Sequence, residues 1–328
     1  MKARRHELRA AVGFLLPNLL GFLVFTAGPV LFSLALSFSN WHLHRTIPFH
    51  WIRFGNFVEL ARDREFWLYS INTVYLMLGM PVAIAGSLLL AILLSQRLRG
   101  IVVYRTLFYL PTFTSGVALM LLWKALYNPE FGAFNVVINW VLDALRVEAV
   151  VRALGGAGVS APAWLLSTKN LLGLEVERVG TAAGQWGLGA RDALIIMGVW
   201  IAIGGNNMLL YLAGISNIPT ELVEAAQLDG AGRWAVFRNV TWPQLAPTTF
   251  FIVVMSFIGG LQGGFEQARV MTQGGPAGTT TTLAYYIYTK AFEEFQIGYA
   301  AALSWVLFTG IFIITMLNWK LGGKELSY

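Results

Sequence analysis

A small set of polar and aromatic side chains lies within or at the ends of long apolar runs, and these carry most of the chemistry this sequence offers. Asn206 and Asn207 interrupt the run GGNNMLLY, and Tyr211 follows Asn207 by four residues, one helical turn along the same face. Gln262, Phe265 and Glu266 close a second run, and Tyr299 and Trp305 belong to a third. Amides and a carboxylate that hydrogen-bond hydroxyls, together with rings that stack on C–H faces, suit a polyhydroxylated molecule. Each residue type also has a structural use. Asn and Gln between membrane helices act as interhelical glue worth about 0.6 kcal/mol, and Tyr or Trp near a span end is a common interface anchor.

Other chemistries are excluded by what the chain lacks. No G-x-x-x-x-G-K-[ST] phosphate loop occurs, and the GGK at 322–324 has neither the leading pattern nor the hydroxyl residue. ATP must therefore be bound by another polypeptide. His6, His42, His44 and His50 lie near span ends without a metal-spaced partner set, and cysteine is absent, which removes disulfides and thiolate chemistry. No catalytic triad is supported, and the chain is not itself an enzyme.

The elements that must position the polar residues follow from composition. The chain has 328 residues, 56% hydrophobic and only 12% charged, with a mean hydropathy of +0.62. Soluble domains carry about 25% charged residues, so there is too little polar surface for a soluble globule of this length. This is an all-α, polytopic membrane protein. A bilayer core needs about 20 apolar helical residues, and the charge-free intervals place six spans: 11–39, 67–94, one between Arg105 and Lys124 that contains Pro111, 193–215, 245–265 and 296–319. All are free of Asp, Glu, Lys and Arg. The charge-free TQGGPAGTTTT is a loop by its Gly, Pro and Thr content. Gly198, Gly204 and Gly205, and Gly259, Gly260, Gly263 and Gly264, allow close helix approach.

The net charge of +6 reads as an orientation signal and not as a nucleic-acid footprint, since no basic cluster accompanies it. Positive charge is denser in the short segments that an N-in, C-in arrangement makes cytoplasmic. Residues 1–10 are then a cytoplasmic N-terminus, and 11–328 form one transmembrane domain with an enlarged external loop at 128–192 and an internal loop at 216–246. Within the external loop, the Gly/Ala-rich half reads as flexible and LLSTKNLLGLEVERVG as a short amphipathic helix. The whole loop is either a surface insertion or a contact for a binding protein.

The internal loop, SNIPTELVEAAQLDGAGRWAVFRNVTWPQLAP, is longer than a hairpin needs. Pro219 suits a helix start, and Glu221 and Glu224 sit near the positive end of that helix. Leu222, Ala225 and Ala226 share one narrow face of small residues, which suits a protein groove better than lipid. Gly230 and Gly232 break the helix, and a second segment with Trp234, Phe237 and Thr241 on one stripe ends at Pro243.

Here a resemblance emerges. Glu224, Ala225, Ala226, Asp229, Gly230 and Ala231 resemble the EAA loop of binding-protein-dependent ABC importer permeases. FEQARVMTQGGPAGTTTTLAYYIYTKAFEEFQIGYAAALSWVLF is similar to the region before the last span of the maltose-type carbohydrate permeases, and YLPTFTSGVALMLLWKALYNPEFGAFN to their third span. The resemblance runs from about residue 10 to 320 and departs from the family in the enlarged 128–192 loop and in having Glu266 where Asp is frequent.

It implies a type I ABC importer permease fold in a bacterial or archaeal inner membrane. The implied partners are a second permease subunit, which the subgroup favours as a different chain, two ATPase subunits that hold ATP and Mg, an extracytoplasmic solute-binding protein, and a sugar as cargo. In this reading Glu224, Ala225, Ala226, Asp229 and Gly230 form a coupling helix that docks on the ATPase. The alternatives are a permease for glycerol-phosphate or another small polar solute, and an ion-coupled secondary transporter. The second would bury ionisable relays in its spans. A purely structural subunit would leave the loop without a purpose.

Overall fold

The computed structural model describes residues 2–44, 47–96, 99–147, 151, 153, 160–174 and 186–322. Among the described residues, four helices are long and apolar enough to cross a membrane: α1 (Val12–Leu36), α3 (Arg64–Ser95), the stretch Ala190–Ser216, and the last helix, Ile297–Lys320. Two bent pairs complete six spans if each pair is one. In the first, α4 (Ile101–Phe113) meets α5 (Gly116–Leu126) at 97°; in the second, Arg233–Gln244 meets Ala246–Gln262 at 63°. Among the described residues the β contacts are isolated bridges, Ser39 with Trp51 and Asn170 with Trp186.

The expected third span is therefore broken. Pro111 removes a helical N–H and crowds the preceding turn, and the helix stops two residues later, with Thr114 N–H donating to the Pro111 carbonyl at 3.2 Å. The chain forms two compact units, residues 1–66 with 286–310, and residues 67–285 with 311–328.

The first unit contains α1, a short helix α2 (Gly55–Arg62), and the opening of the last helix. Apolar side chains of α1 stand outward, Phe14 at 86% exposure, as lipid-facing residues should. Ser33 Oγ accepts from Trp305 Nε1 at 3.1 Å. Between α1 and α2 the chain folds back on itself, and the buried Asn56 amide donates to the carbonyls of Ser37 and Ser39 at 2.8 Å each. Gly298 meets this turn directly. Its N–H donates to Trp41 O at 3.0 Å, and a Cβ at this position would lie 2.1 Å from the Ser39 carbonyl.

The second unit carries the rest. The fourth span consists of α7 (Ala190–Ile203) and α8 (Asn206–Ser216), separated at Gly204–Gly205. Its helix starts earlier than the charge-free interval suggests, so Arg191 and Asp192 lie in its first turn, and both are buried. The expectation that every span lacks charge is thus corrected. Gly204 touches the α4 backbone, where a Cβ would stand 2.1 Å from the Phe108 carbonyl. Gly198, grouped with it by spacing, has open space around it instead. The half of α3 from Met80 to Ser95 packs against α8. There Leu88, Leu94, Met208, Tyr211, Leu245 and Ile252 form one apolar cluster.

The described part of the enlarged loop includes α6 (Ala133–Ala144) and a 3-10 turn, Trp164–Leu166. No helix runs through the described residues 167–174, which corrects the amphipathic helix expected there; residues 175–180 of that segment, and the Gly/Ala-rich stretch 154–159, lie outside the described residues. The turn is anchored firmly. Trp164 is buried, donates from Nε1 to Asn135 Oδ1 at 2.6 Å, and stacks against Tyr127 with ring centres 5.0 Å apart. These rings join Trp123, Leu194, Met197 and Met271 in a second apolar cluster. The loop's described part is packed against the spans.

The close approach at Gly298 generates a paired prediction. Gly298→Ala should lower the unfolding temperature in detergent, at a cost of about 1–3 kcal/mol for forced overpacking. Gly310→Ala, in the same helix with nothing within 4 Å of its Cβ position, should be neutral or stabilising by up to about 1 kcal/mol. Equal effects at both positions would contradict the packing.

Candidate functional site

Two regions hold part of the set singled out by sequence: a pair of cavities in the second unit, and the loop at 216–246. The cavities rest on a buried polar frame. Arg191 is 2% exposed; its Nε donates to Thr279 O at 2.9 Å and its Nη2 to Asn72 Oδ1 at 2.6 Å. The Asn72 amide donates in turn to the carbonyls of Gly278 and Thr281 at 2.8 and 2.9 Å. The GGPAGTTTT segment is indeed a loop, and these two side chains on α7 and α3 hold its backbone. Tyr75 lies under the guanidinium, 5.4 Å from ring centre to Cζ, and donates to Asp192 Oδ1 at 2.6 Å. Asp192 Oδ2 accepts the Gly189 N–H at 3.1 Å and so caps α7.

Beside this frame, one cavity of about 340 Å³ lies between α3, α7 and the helix Ala246–Gln262. Its polar lining comes from Thr73, Asn207, Ser256, Gln267 and Thr282. A second, of about 500 Å³, opens at the α4–α5 bend and is lined by Thr112, Thr114, Asn206, Asn207 and Gln267 among others. Asn207 and Gln267 border both. Among the described residues, no Asp, Glu, Lys, Arg or His lines either cavity. The Asn206 carbonyl accepts from Tyr109 Oη at 3.0 Å, so Asn206 is already tied to α4.

The remaining expected residues are placed differently. Tyr211 is fully buried in the apolar cluster of α3 and α8, and does not border these cavities. Gln262 is exposed at a helix end, Phe265 stands edge-on to Tyr285 at 5.9 Å, and the Glu266 carboxylate lies beside Gly116. Gln267 was missed by the sequence reading, although it is next to Glu266. Tyr299 belongs to the first unit, where its hydroxyl donates to Asp63 Oδ2 at 2.7 Å, alongside that of Tyr286 at 2.5 Å. Burial pushes the Asp63 carboxyl upward, but those two phenols, the Glu65 N–H and nearby Lys290 outweigh it, so Asp63 sits below the usual carboxylate range. Burial and the same carboxylate push the Tyr286 phenol up. Among the described residues no group of acidic and His side chains could hold a metal.

In the loop, α9 (Thr220–Leu228) begins after Pro219 with Glu221 in its first turn. Its end is a Schellman motif: Gly230 has φ +82°, Ala231 N–H donates to Ala226 O at 2.9 Å, and Gly230 N–H to Gln227 O at 3.0 Å. Gly230 thus ends the helix, while Gly232 starts α10 (Arg233–Gln244). Sequence spacing grouped Leu222, Ala225 and Ala226. The structure turns Val223 and Ala226 half inward and leaves Glu221, Leu222, Glu224, Ala225 and Leu228 exposed, Leu228 at 89%. Asp229 is also exposed. From α10, Phe237 and Thr241 face a groove shared with Gln227, and Trp234 stacks on Phe237 at 5.3 Å.

With this geometry in hand, residues 67–319 match the family model described as "Binding-protein-dependent transport system inner membrane component". The chain belongs to that family. It is thus a multi-pass inner-membrane component of a binding-protein-dependent transport system. The chain is 31% identical to the "Probable ABC transporter permease protein YesP" of Bacillus subtilis, over 99% of this chain and 94% of that one. It is 30% identical to the multiple sugar-binding transport system permease protein MsmF of Streptococcus mutans, over 95% of this chain and 94% of that one. The fold matches a chain in the crystal structure of a bacterial ABC transporter involved in import of the acidic polysaccharide alginate, with a TM-score of 0.75, 23% identity and coverage of 98% and 97%.

Removing the buried guanidinium tests the frame. Arg191→Met should strand the Thr279 carbonyl and the Asn72 Oδ1, at about 1–3 kcal/mol for each unsatisfied buried acceptor, read as a large drop in unfolding temperature of the purified protein. An unfolding temperature within a degree or so of the parent would contradict the buried network.

Proposed function

We propose that this chain is a permease subunit of an ATP-driven importer that passes uncharged saccharides. The observation that carries the solute class is the lining of the paired cavities, where Asn206, Asn207, Gln267 and threonine hydroxyls meet without a charged group. Such a lining can exchange hydrogen bonds with sugar hydroxyls, and it offers nothing to neutralise a phosphate. A glycerol-3-phosphate permease, UgpA of Yersinia pestis, is 28% identical over 88% of this chain, but an anionic cargo would need a cation in the path. Relatives named for sugars, MsmF among them, support the same reading.

Energy comes from outside the chain. Two ATPase subunits bind ATP and Mg, a second permease chain completes the path, and an extracytoplasmic binding protein delivers the solute. The N- and C-termini and the 216–246 loop face the cytoplasm. There α9 docks on an ATPase through Leu222, Ala225 and Leu228, with Glu224 pairing a basic residue of the ATPase and Asp229 and Gly230 setting where the helix stops. Exposed apolar side chains on a helix whose end is locked by its own backbone support this role.

Two measurements test the reading. Asn207→Leu and Gln267→Leu should each cut ATP-dependent uptake of the cognate sugar by about tenfold, the loss of one or two solute hydrogen bonds at about 1.5 kcal/mol, with assembly of the complex unchanged. Unaltered uptake in both would move the path elsewhere. For coupling, the absence of native cysteine makes Leu228→Cys a clean probe. It should form a disulfide with a cysteine in the ATPase cleft, with a yield that changes with ATP; labelling of Leu228→Cys from outside the cell would invert the topology and end the coupling role.

A further inference from the structure

Helix α6 carries a pattern that neither the transport path nor the coupling helix uses. It has 12 residues, about 18 Å of helix, and so is too short for a bilayer core of about 30 Å. It starts seven residues after α5 ends, which keeps it near the membrane level. One face is committed to the protein: Asn135 is buried, and Phe134 and Ile138 pack against the cluster of Trp123, Tyr127 and Trp164. The opposite face is apolar and exposed. Ala133, Val137, Trp140 and Ala144 recur at the spacing of a single stripe, flanked by Val136 and Val141, with Trp140 69% exposed. Asn139 and Asp143 form a polar edge along one flank, also exposed.

We propose that α6 is an interfacial anchor: it lies along the membrane surface at the end of the second unit opposite α9, with the Val137–Trp140–Ala144 stripe in the lipid headgroup and acyl boundary and Asn139 and Asp143 in water. Three observations select lipid as the occupant. The stripe follows a helix, α5, whose own apolar side chains Val117, Leu121 and Leu122 are exposed as lipid-facing residues are. It has no basic residue for an acidic protein surface to pair with. A tryptophan at its centre beside a polar flank is the arrangement that favours the interface, where the ring is apolar and its N–H stays wet. The enlarged loop then has a mechanical use: the helix fixes the depth of the aromatic cluster to which Trp164 is pinned. The inference rests on the membrane assignment of the chain, and on neither the solute nor the ATPase contact proposed above.

The test uses the complete transporter in phosphatidylcholine vesicles, with single cysteines at Val137, Ala144, Asn139 or Asp143 carrying an NBD fluorophore. Labels at Val137→Cys and Ala144→Cys should emit at shorter wavelength, be quenched by a doxyl lipid labelled near the headgroup, and resist iodide. Those at Asn139→Cys and Asp143→Cys should be quenched by iodide. Iodide quenching at all four positions would mean that the stripe faces water. Protection from both quenchers at Val137→Cys and Ala144→Cys would mean that protein covers it. Either result overturns the anchor. Loss of sugar uptake with the lipid-quenching pattern intact would count against the transport reading alone.

Discussion

The buried guanidinium of Arg191 is the interaction on which the second unit depends. In a membrane, irregular backbone survives only where its carbonyls and N–H groups find partners inside the protein. The loop at 273–282 is such a stretch, and Arg191 and Asn72 between them meet the carbonyls of Gly278, Thr279 and Thr281. The same rule applies at smaller breaks. Ser87 donates to the Ala202 carbonyl at 3.1 Å, just before α7 stops, and Arg105 donates to the Leu94 carbonyl at 2.7 Å near the end of α3. At these two breaks a polar side chain of a neighbouring element meets a carbonyl near the helix end.

This arrangement divides the unit into a stiff part and an exposed part. The frame of Asn72, Arg191, Tyr75 and Asp192, and the aromatic cluster around Trp164, tie α3, α7 and the two loops together through buried contacts. By contrast, α9 has only Val223 and Ala226 turned inward, and its defined end comes from its own Schellman hydrogen bonds. In the transport reading, a force applied to α9 meets little local resistance and passes through α8 and α10 to the elements that border the cavities. Gly204–Gly205, between α7 and α8, is the place where such a force would be absorbed, since the helix is already interrupted there.

Much of this was legible in the sequence because bilayer physics is blunt. Charge-free intervals located the spans, Gly and Pro located the 273–282 loop, and Asp-Gly located the end of α9. What escaped was set by tertiary packing. Treating charges as span boundaries placed Arg191 and Asp192 outside the fourth span, yet Arg191 donates to Asn72 and Thr279 and Asp192 accepts from Tyr75, distant partners that no local pattern announces. Helical spacing put Leu222 with Ala226, but which side of α9 turns inward depends on α10, and Val223 took that place. Tyr211 shares a helical face with Asn207 in principle. A tight contact between α8 and α3 buries the tyrosine, whereas Asn207, a turn earlier beside the Gly204–Gly205 break, still reaches the cavity. Gln267 lies past the helix end, where the chain changes direction at Gly263–Gly264, so no periodicity could point to it.

The distribution of charge bears on what the cavities can accept. Three buried or half-buried ionic groups among the described residues are taken up by the fold: Arg191 by the Thr279 carbonyl and Asn72, Asp192 by Tyr75 and the start of α7, and Asp63 by two phenols and the Glu65 N–H. Asp63 also shows why Tyr299 is not a free aromatic platform, since its hydroxyl is committed to a carboxylate that keeps its charge across the physiological range. An ion-coupled carrier needs the opposite, an ionisable group facing the path and free to change partners as the path opens. The polar groups that border the two cavities are amides and hydroxyls, which do not titrate and cannot store a proton. In the transport reading the driving force then enters mechanically, through the exposed helix at 220–228.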